Sequence, residues 1–139
     1  MSWSDAYIGI PFADLGRSRS GVDCYGLACV IYAGDLGIAL PDYVGSYASA
    51  TERAEISALM KGATGSWRAV TGKAAPYDLA VFRRGKLTTH VGIVIRHGMM
   101  IHMEGEDAAK VADYRSGRWS SRFVGHYRHH SRAVEGGMQ

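Results

Sequence analysis

Two cysteines and six histidines are the residues of this 139-residue chain most able to do chemistry. Cys24 lies in the run Gly21-Val22-Asp23-Cys24-Tyr25-Gly26-Leu27. Asp23 is a good helix N-cap, which puts Cys24 in the first turn of a helix. Backbone N–H groups there have no partner within the helix, and the helix dipole favours negative charge. Both effects favour a thiolate, the nucleophilic form of cysteine. Gly21 and Gly26 predict open surroundings through which a substrate carbonyl could approach. The competing reading is a small core hydrophobe, and composition alone favours it. Cys29 falls inside the apolar stripe of the same helix and is read as core. Five residues apart on a helix, the two thiols point to different faces, so no disulfide is expected. Neither a CxxC pair nor a Cys/His zinc spacing is present, so no metal site and no cofactor are expected.

A nucleophilic thiol needs a base, usually histidine. His90 opens the β-branched run His-Val-Gly-Ile-Val-Ile, and Gly92 predicts a gap where another chain segment comes close. His102 lies in the next strand-like run and could orient the base. Strand geometry sets a condition. A strict two-residue turn at His97-Gly98 pairs Ile93 with His102, and His90 then faces away, because strand faces alternate. The two histidines can cooperate only through an odd-length loop or a one-residue bulge. His97 reads as a turn residue. His126, His129 and His130 read as surface, with a His-His pair as at most a weak metal site. Glu104 and Glu106 read as loop, and the hydroxyls of Thr88 and Thr89 are candidates for hydrogen bonds near the site.

These residues need elements to carry them. Ser4 to Ile10 reads as a short first element, and Leu15 to Gly21 as a polar, Gly-bounded loop. Leu27, Ala28, Ile31 and Tyr32 recur at helical spacing. That helix should end near Gly34 or Gly37, with Pro41 forbidding continuation. Gly45 to Ala50 reads as loop, Thr51 to about Met60 as a second helix, and Gly62 and Gly65 as its end. Trp67 to Thr71 is a short element of undefined type. Asp78 to Arg83 alternates, with Leu79 and Val81 on one face. After a turn at Gly85-Lys86 come strands at His90–Ile95, Met99–Met103 and Arg122–Arg128. Helices first and strands after predict an α+β fold, N-terminal helices packed on one C-terminal antiparallel sheet. One domain over residues 1–130 and a frayed tail over 131–139 are expected.

Composition excludes several classes. Apolar residues make up 47% and charged residues 21%, ordinary for a globular domain. No apolar run is long enough to cross a bilayer, so no membrane insertion is expected. The first ten residues have no basic segment followed by a long apolar one, which predicts no secretory signal peptide. A net charge of +3 is mild, and the 16 Lys and Arg form no stripe interleaved with aromatics, so no nucleic-acid partner is expected. The local run Arg115, Arg118, Arg122, Arg128, Arg132 is the one basic cluster that could touch a polymer or a neighbouring protein.

Taken together, the motifs resemble those of NlpC/P60 cysteine peptidases. Gly21 to Leu27 resembles that family's G-x-D-C-x-G-L signature, Pro76 to Phe82 its P-G-D-L-x-x-F strand, and His90 to Ile95 its H-V-G-I-Y-I strand. His102 falls where the family places its third catalytic residue, and Arg122 to Arg128 resembles the closing strand. The resemblance spans residues 6 to 128. It implies a papain-like domain that hydrolyses peptide bonds in bacterial peptidoglycan stem peptides, with Cys24 as nucleophile, His90 as base and His102 as orienting residue. Phe12 stands where the family often has a tyrosine beside the oxyanion. Backbone N–H groups at Cys24, or the hydroxyl of Tyr7, are the alternative donors. Tyr77 replaces the usual Gly before Asp78, and Tyr25 the common Ser. Tyr25, the Leu36–Tyr43 segment and the long insert before Asp78 resemble tail peptidases of phages and gene transfer agents. That subgroup implies assembly in the cytoplasm, carriage on a particle tail beside tail hub or baseplate proteins, and action at a target cell wall. The alternatives left open are a structural or assembly component of a tail hub, and a thiol acyltransferase or amidase on a related fold.

Overall fold

The structure, a computed structural model, describes residues 3–13, 16–40, 67–84, 87–104 and 107–129. The expected second helix, the turn at Gly85-Lys86, Pro41, Glu106, His130, Arg132 and the tail lie outside the described residues.

A 3-10 turn, Trp3–Ala6, begins the chain. The expected loop before Cys24 is instead a small hairpin, β1 (Arg17–Ser18) on β2 (Gly21–Val22), with Arg17 opposite Val22 and Ser18 opposite Gly21. Its glycines let backbones come close: a Cβ on Gly21 would stand 2.5 Å from the Cβ of Ala13. Two-residue strands leave no alternation to read, which is why the sequence pattern suggested a loop.

Helix α1 (Cys24–Ile31) follows as expected. Asp23 is extended at φ −94°, and its side chain accepts from the Gly26 N–H at 2.7 Å. Such a cap contributes about 1 kcal/mol. Leu27, Ala28, Ile31 and Tyr32 are all fully buried, and Cys29 is half-buried beside them. The helix runs into a π-helical turn, Tyr32–Leu36, and Gly37 ends it in the left-handed region at φ +66°.

The rest is one six-stranded antiparallel sheet. Its strands are β3 (Trp67–Val70), β4 (Leu79–Arg84), β5 (Leu87–Arg96), β6 (Met99–His102), β7 (Lys110–Asp113) and β8 (Phe123–His129). Their order in space is β3-β8-β4-β5-β6-β7. A short helix, α2 (Gly117–Arg122), precedes β8, so Arg122 belongs to that helix and not to the closing strand. The α+β expectation holds, and α1 lies against β5. β7 and α2 are additions to the expected elements. β7 is a polar edge strand and α2 buries only Trp119, so neither carries an apolar period.

The sheet has a core on each side. Leu79, Val81, Val91, Ile93 and Ile101 join the α1 residues in the larger one. Alternate positions Ala80, Phe82, Val94 and Met100 join Tyr114 and Trp119 in the second. An ion pair between half-buried Arg128 and buried Asp78 fastens β8 to the start of β4: Arg128 donates from Nε and Nη2 to the two carboxylate oxygens at 2.8 and 2.9 Å. Tyr77, the residue where the family resemblance expects Gly, holds φ +74°.

Candidate active site

Cys24 is the first residue of α1 and is fully buried. The carboxylate of Asp23, next to it, would oppose a thiolate. Arg17 Nη1 lies 2.9 Å from Asp23 Oδ1 and balances that charge. The expectation that Gly21 and Gly26 keep this region open is corrected. A Cβ on Gly26 would stand 1.9 Å from the Gly16 carbonyl oxygen, so the space belongs to the hairpin. Gly26 makes room for the Gly16 carbonyl and Gly21 for the Ala13 side chain, not for substrate.

His90 and His102 meet. His90 Nε2 lies 2.9 Å from His102 Nδ1, and the pair is buried. The parity condition is met by a bulge in β5: Val94 pairs Met100, Arg96 pairs Met99, and Ile95 is the extra residue. Gly92 therefore faces His102, and His90, two residues earlier, shares that face. The gap at Gly92 is filled from within the sheet, since a Cβ there would meet Met100 Sδ at 2.3 Å. Burial above all holds the His102 imidazole down at about 4, so it is neutral near pH 7. A neutral His102 that accepts at Nδ1 takes the Nε2–H of His90. Any proton that His90 draws from a thiol must then go to Nδ1.

Trp119 walls the pair. Its indole stacks on His90 at 4.8 Å and meets His102 edge-on at 5.1 Å. Sequence reasoning missed this residue, because a single Trp in a polar stretch carries no pattern. Glu104, read as loop, forms an ion pair with Arg118 at 2.5 Å.

Tyr7 is removed from the list of oxyanion donors. Its hydroxyl donates to Asp35 at 2.6 Å, and burial, then that bond, pushes it up to about 12. Asp35 lies eleven residues beyond Cys24, about 16 Å along a helical path. Phe12 does border the site, bridging to Val22, two residues before Cys24. Backbone N–H groups at the start of α1 remain as donors.

His126 and His129, read as surface residues, are buried instead. His126 is buried with Nε2 2.7 Å from the Tyr114 hydroxyl, and His129 packs edge-on against Trp67 at 5.1 Å. His97 accepts from the Ala74 N–H at 2.9 Å. Most of the basic run is engaged internally: Arg115 pairs with Asp113, Arg118 with Glu104 and Arg128 with Asp78. Thr88 lies in β5, opposite Arg83, with Thr89 next to it. Among the described residues, no group of three His, Cys, Asp or Glu side chains could hold a metal ion, and no helix is long and apolar enough to cross a membrane.

The sequence profile of the NlpC/P60 family matches residues 9–128. No curated protein matches this chain significantly. Among solved structures, an NLP/P60-family protein similar to lipoprotein from Staphylococcus aureus subsp. aureus Mu50 superposes with a TM-score of 0.64 at 23% identity, covering 90% of this chain. An NlpC/P60 family protein from Bacillus cereus ATCC 10987 gives 0.66 at 23% identity over 90% of this chain. This chain spans only 38% and 37% of those two proteins. The NlpC/p60 domain of peptidoglycan hydrolase SagA gives 0.56 at 23% identity, covering 79% of this chain and 82% of that domain.

Proposed function

This chain belongs to the NlpC/P60 family, and from that premise we propose that it is a cysteine peptidase hydrolysing peptide bonds in bacterial peptidoglycan stem peptides. The observation that carries the reading is the buried His90–His102 pair on β5 and β6, with Cys24 heading the helix that lies against β5. The printed description of one structural neighbour as a peptidoglycan hydrolase supports the substrate class.

In this reading His90 Nδ1 takes the Cys24 proton and the thiolate attacks the peptide carbonyl. Backbone N–H groups at the start of α1 hold the oxyanion. The C–N bond breaks as His90 gives its proton to the leaving amine. Water then attacks the thioester, losing a proton to His90, and the carboxylate leaves as Cys24 is restored. His102 accepts from His90 Nε2 throughout and keeps its ring in the tautomer with Nδ1 unprotonated.

The proposal extends to place. The likeness of Tyr25 and the Leu36–Tyr43 segment to tail peptidases supports carriage on a phage-like tail, next to hub or baseplate proteins, with assembly in the cytoplasm and action at the target wall. One observation favours a second reading, a structural hub component: Cys24 has no exposed surface.

The test is turbidity loss of purified peptidoglycan, with released peptides identified by mass spectrometry. Wild type should clear the suspension. Cys24→Ala, with unchanged thermal melting, should lose about 10³-fold or more. Cys29→Ala should stay within about twofold of wild type. Equal activity with and without Cys24 removes the nucleophile, and a folded wild type inactive on every wall tried favours the hub reading.

A further inference from the structure

We propose that Trp119 is a positioning residue that fixes the plane of the His90 ring, so that Nδ1 stays aimed while Nε2 is held by His102. The inference rests on the peptidase reading for its purpose, but its geometry stands independently.

The terminal torsion of histidine is broad and roughly two-fold, so flat packing against a ring face narrows the planes it can take. The indole of Trp119 supplies such a face. It lies at 22° to the His90 ring with centroids 4.8 Å apart, and at 84° to the His102 ring at 5.1 Å. The two imidazoles are themselves at 89°. One indole thus contacts both members of the pair, parallel to the first and perpendicular to the second. Phe82 closes on the other rings, 5.1 Å from Trp119 and 6.0 Å from His90.

Trp119 is in turn held. It is 8% exposed. Arg118, beside it in α2, lies 4.8 Å over the indole and pairs with Glu104, two residues past His102. Arg122 lies over the same ring at 5.9 Å. The end of β6 is therefore tied to α2, and α2 to the face of His90. A tryptophan present only to fill the second core would be replaceable by any side chain of similar bulk.

The test uses the Cys29→Ser protein with Trp119 unchanged, Trp119→Phe and Trp119→Leu. Two readouts are taken: kcat and KM on a soluble stem peptide, and the rate of Cys24 alkylation by iodoacetamide near neutral pH, located by mass spectrometry. Trp119→Leu should lower kcat roughly 10- to 100-fold with KM changed by less than about threefold, and should slow alkylation. Trp119→Phe, which keeps an aromatic face, should recover most of both. If Trp119→Leu does not fold, Trp119→Met takes its place in the comparison with Trp119→Phe. Alkylation that follows the order Trp, Phe, Leu while wild type cleaves no peptide supports the positioning role and sinks the peptidase reading. Folded Leu and Phe variants with equal kcat and equal alkylation rates overturn the proposal.

Discussion

His90 and His102 are hydrogen bonded at 2.9 Å only because Ile95 is an extra residue in β5. Without it, the turn at His97-Gly98 would place the two imidazoles on opposite faces of the sheet. The twelve-residue spacing is thus tied to one bulge.

If His102 acts as an acceptor for His90, a side chain that keeps an acceptor in the same place should keep part of the activity. His102→Asn places Oδ1 near the position of Nδ1, whereas His102→Ala removes the acceptor and leaves a buried N–H without a partner. Expected losses in kcat are about 10-fold for Asn and about 10²- to 10³-fold for Ala. Hydrolysis of a soluble stem peptide checks this, and equal losses in both variants refute the acceptor role.

The same residue sets a pH dependence of stability. Folded His102 titrates at about 4, below its ordinary 6.5, chiefly through burial. Above 6.5 both folded and unfolded forms are neutral and nothing is lost. As pH falls below 6.5 the unfolded chain takes up a proton that the folded chain refuses, so stability drops until about pH 4 and then levels. The full contribution is of the order of 3 kcal/mol. His126, also held low by burial and by His97, adds to the loss in the same direction. Urea unfolding at a series of pH values should show a shallower acid slope for His102→Asn than for wild type.

The candidate site was more legible in the sequence than the framework around it. The Asp23 cap and the meeting of His90 with His102 follow from residue type and spacing, and the parity of two strands demanded either an odd-length loop or a bulge, of which the structure has the bulge. The residues that hold them did not announce themselves. Trp119 sits in Gly-Arg-Trp-Ser-Ser-Arg, and its contact with His90 crosses 29 positions. The burial of His126 and His129 depends on Tyr114 and Trp67, which no local pattern brings to them. Gly26 was recognised as special for the wrong reason, because a missing side chain does not say what fills its place.

Gly26 supplies a direct test of that correction. A Cβ there meets a backbone carbonyl, which cannot swing away as a side-chain end could. Gly26→Ala should push β1 off α1, disturb the Arg17–Asp23 pair and lower stability by about 1–3 kcal/mol. Gly125→Ala is the control, since no atom lies within 4 Å of its Cβ position. Thermal melts and peptidase rates of the two variants should diverge, with Gly26→Ala losing both and Gly125→Ala close to wild type. Similar behaviour in the two would return Gly26 to the role of an open approach.

Tyr77 holds a left-handed backbone at φ +74°, a conformation costing a residue with a side chain about 1–2 kcal/mol. Its contacts offset that cost. The ring stacks on Trp3 at 4.4 Å, the hydroxyl donates to Asp35 at 2.8 Å, and the backbone N–H donates to the Val94 carbonyl at 2.8 Å. Two substitutions separate strain from contact. Tyr77→Ala keeps the strain and loses ring and hydroxyl, so it should destabilise strongly. Tyr77→Gly loses the same contacts but relieves the strain, at the expense of extra freedom in the unfolded chain. The glycine variant should therefore be the more stable of the two by about 1 kcal/mol, although both fall below wild type. Chemical denaturation of the three proteins reads this order. An alanine variant as stable as the glycine variant would mean that the backbone at 77 relaxes once the Trp3 stack is gone.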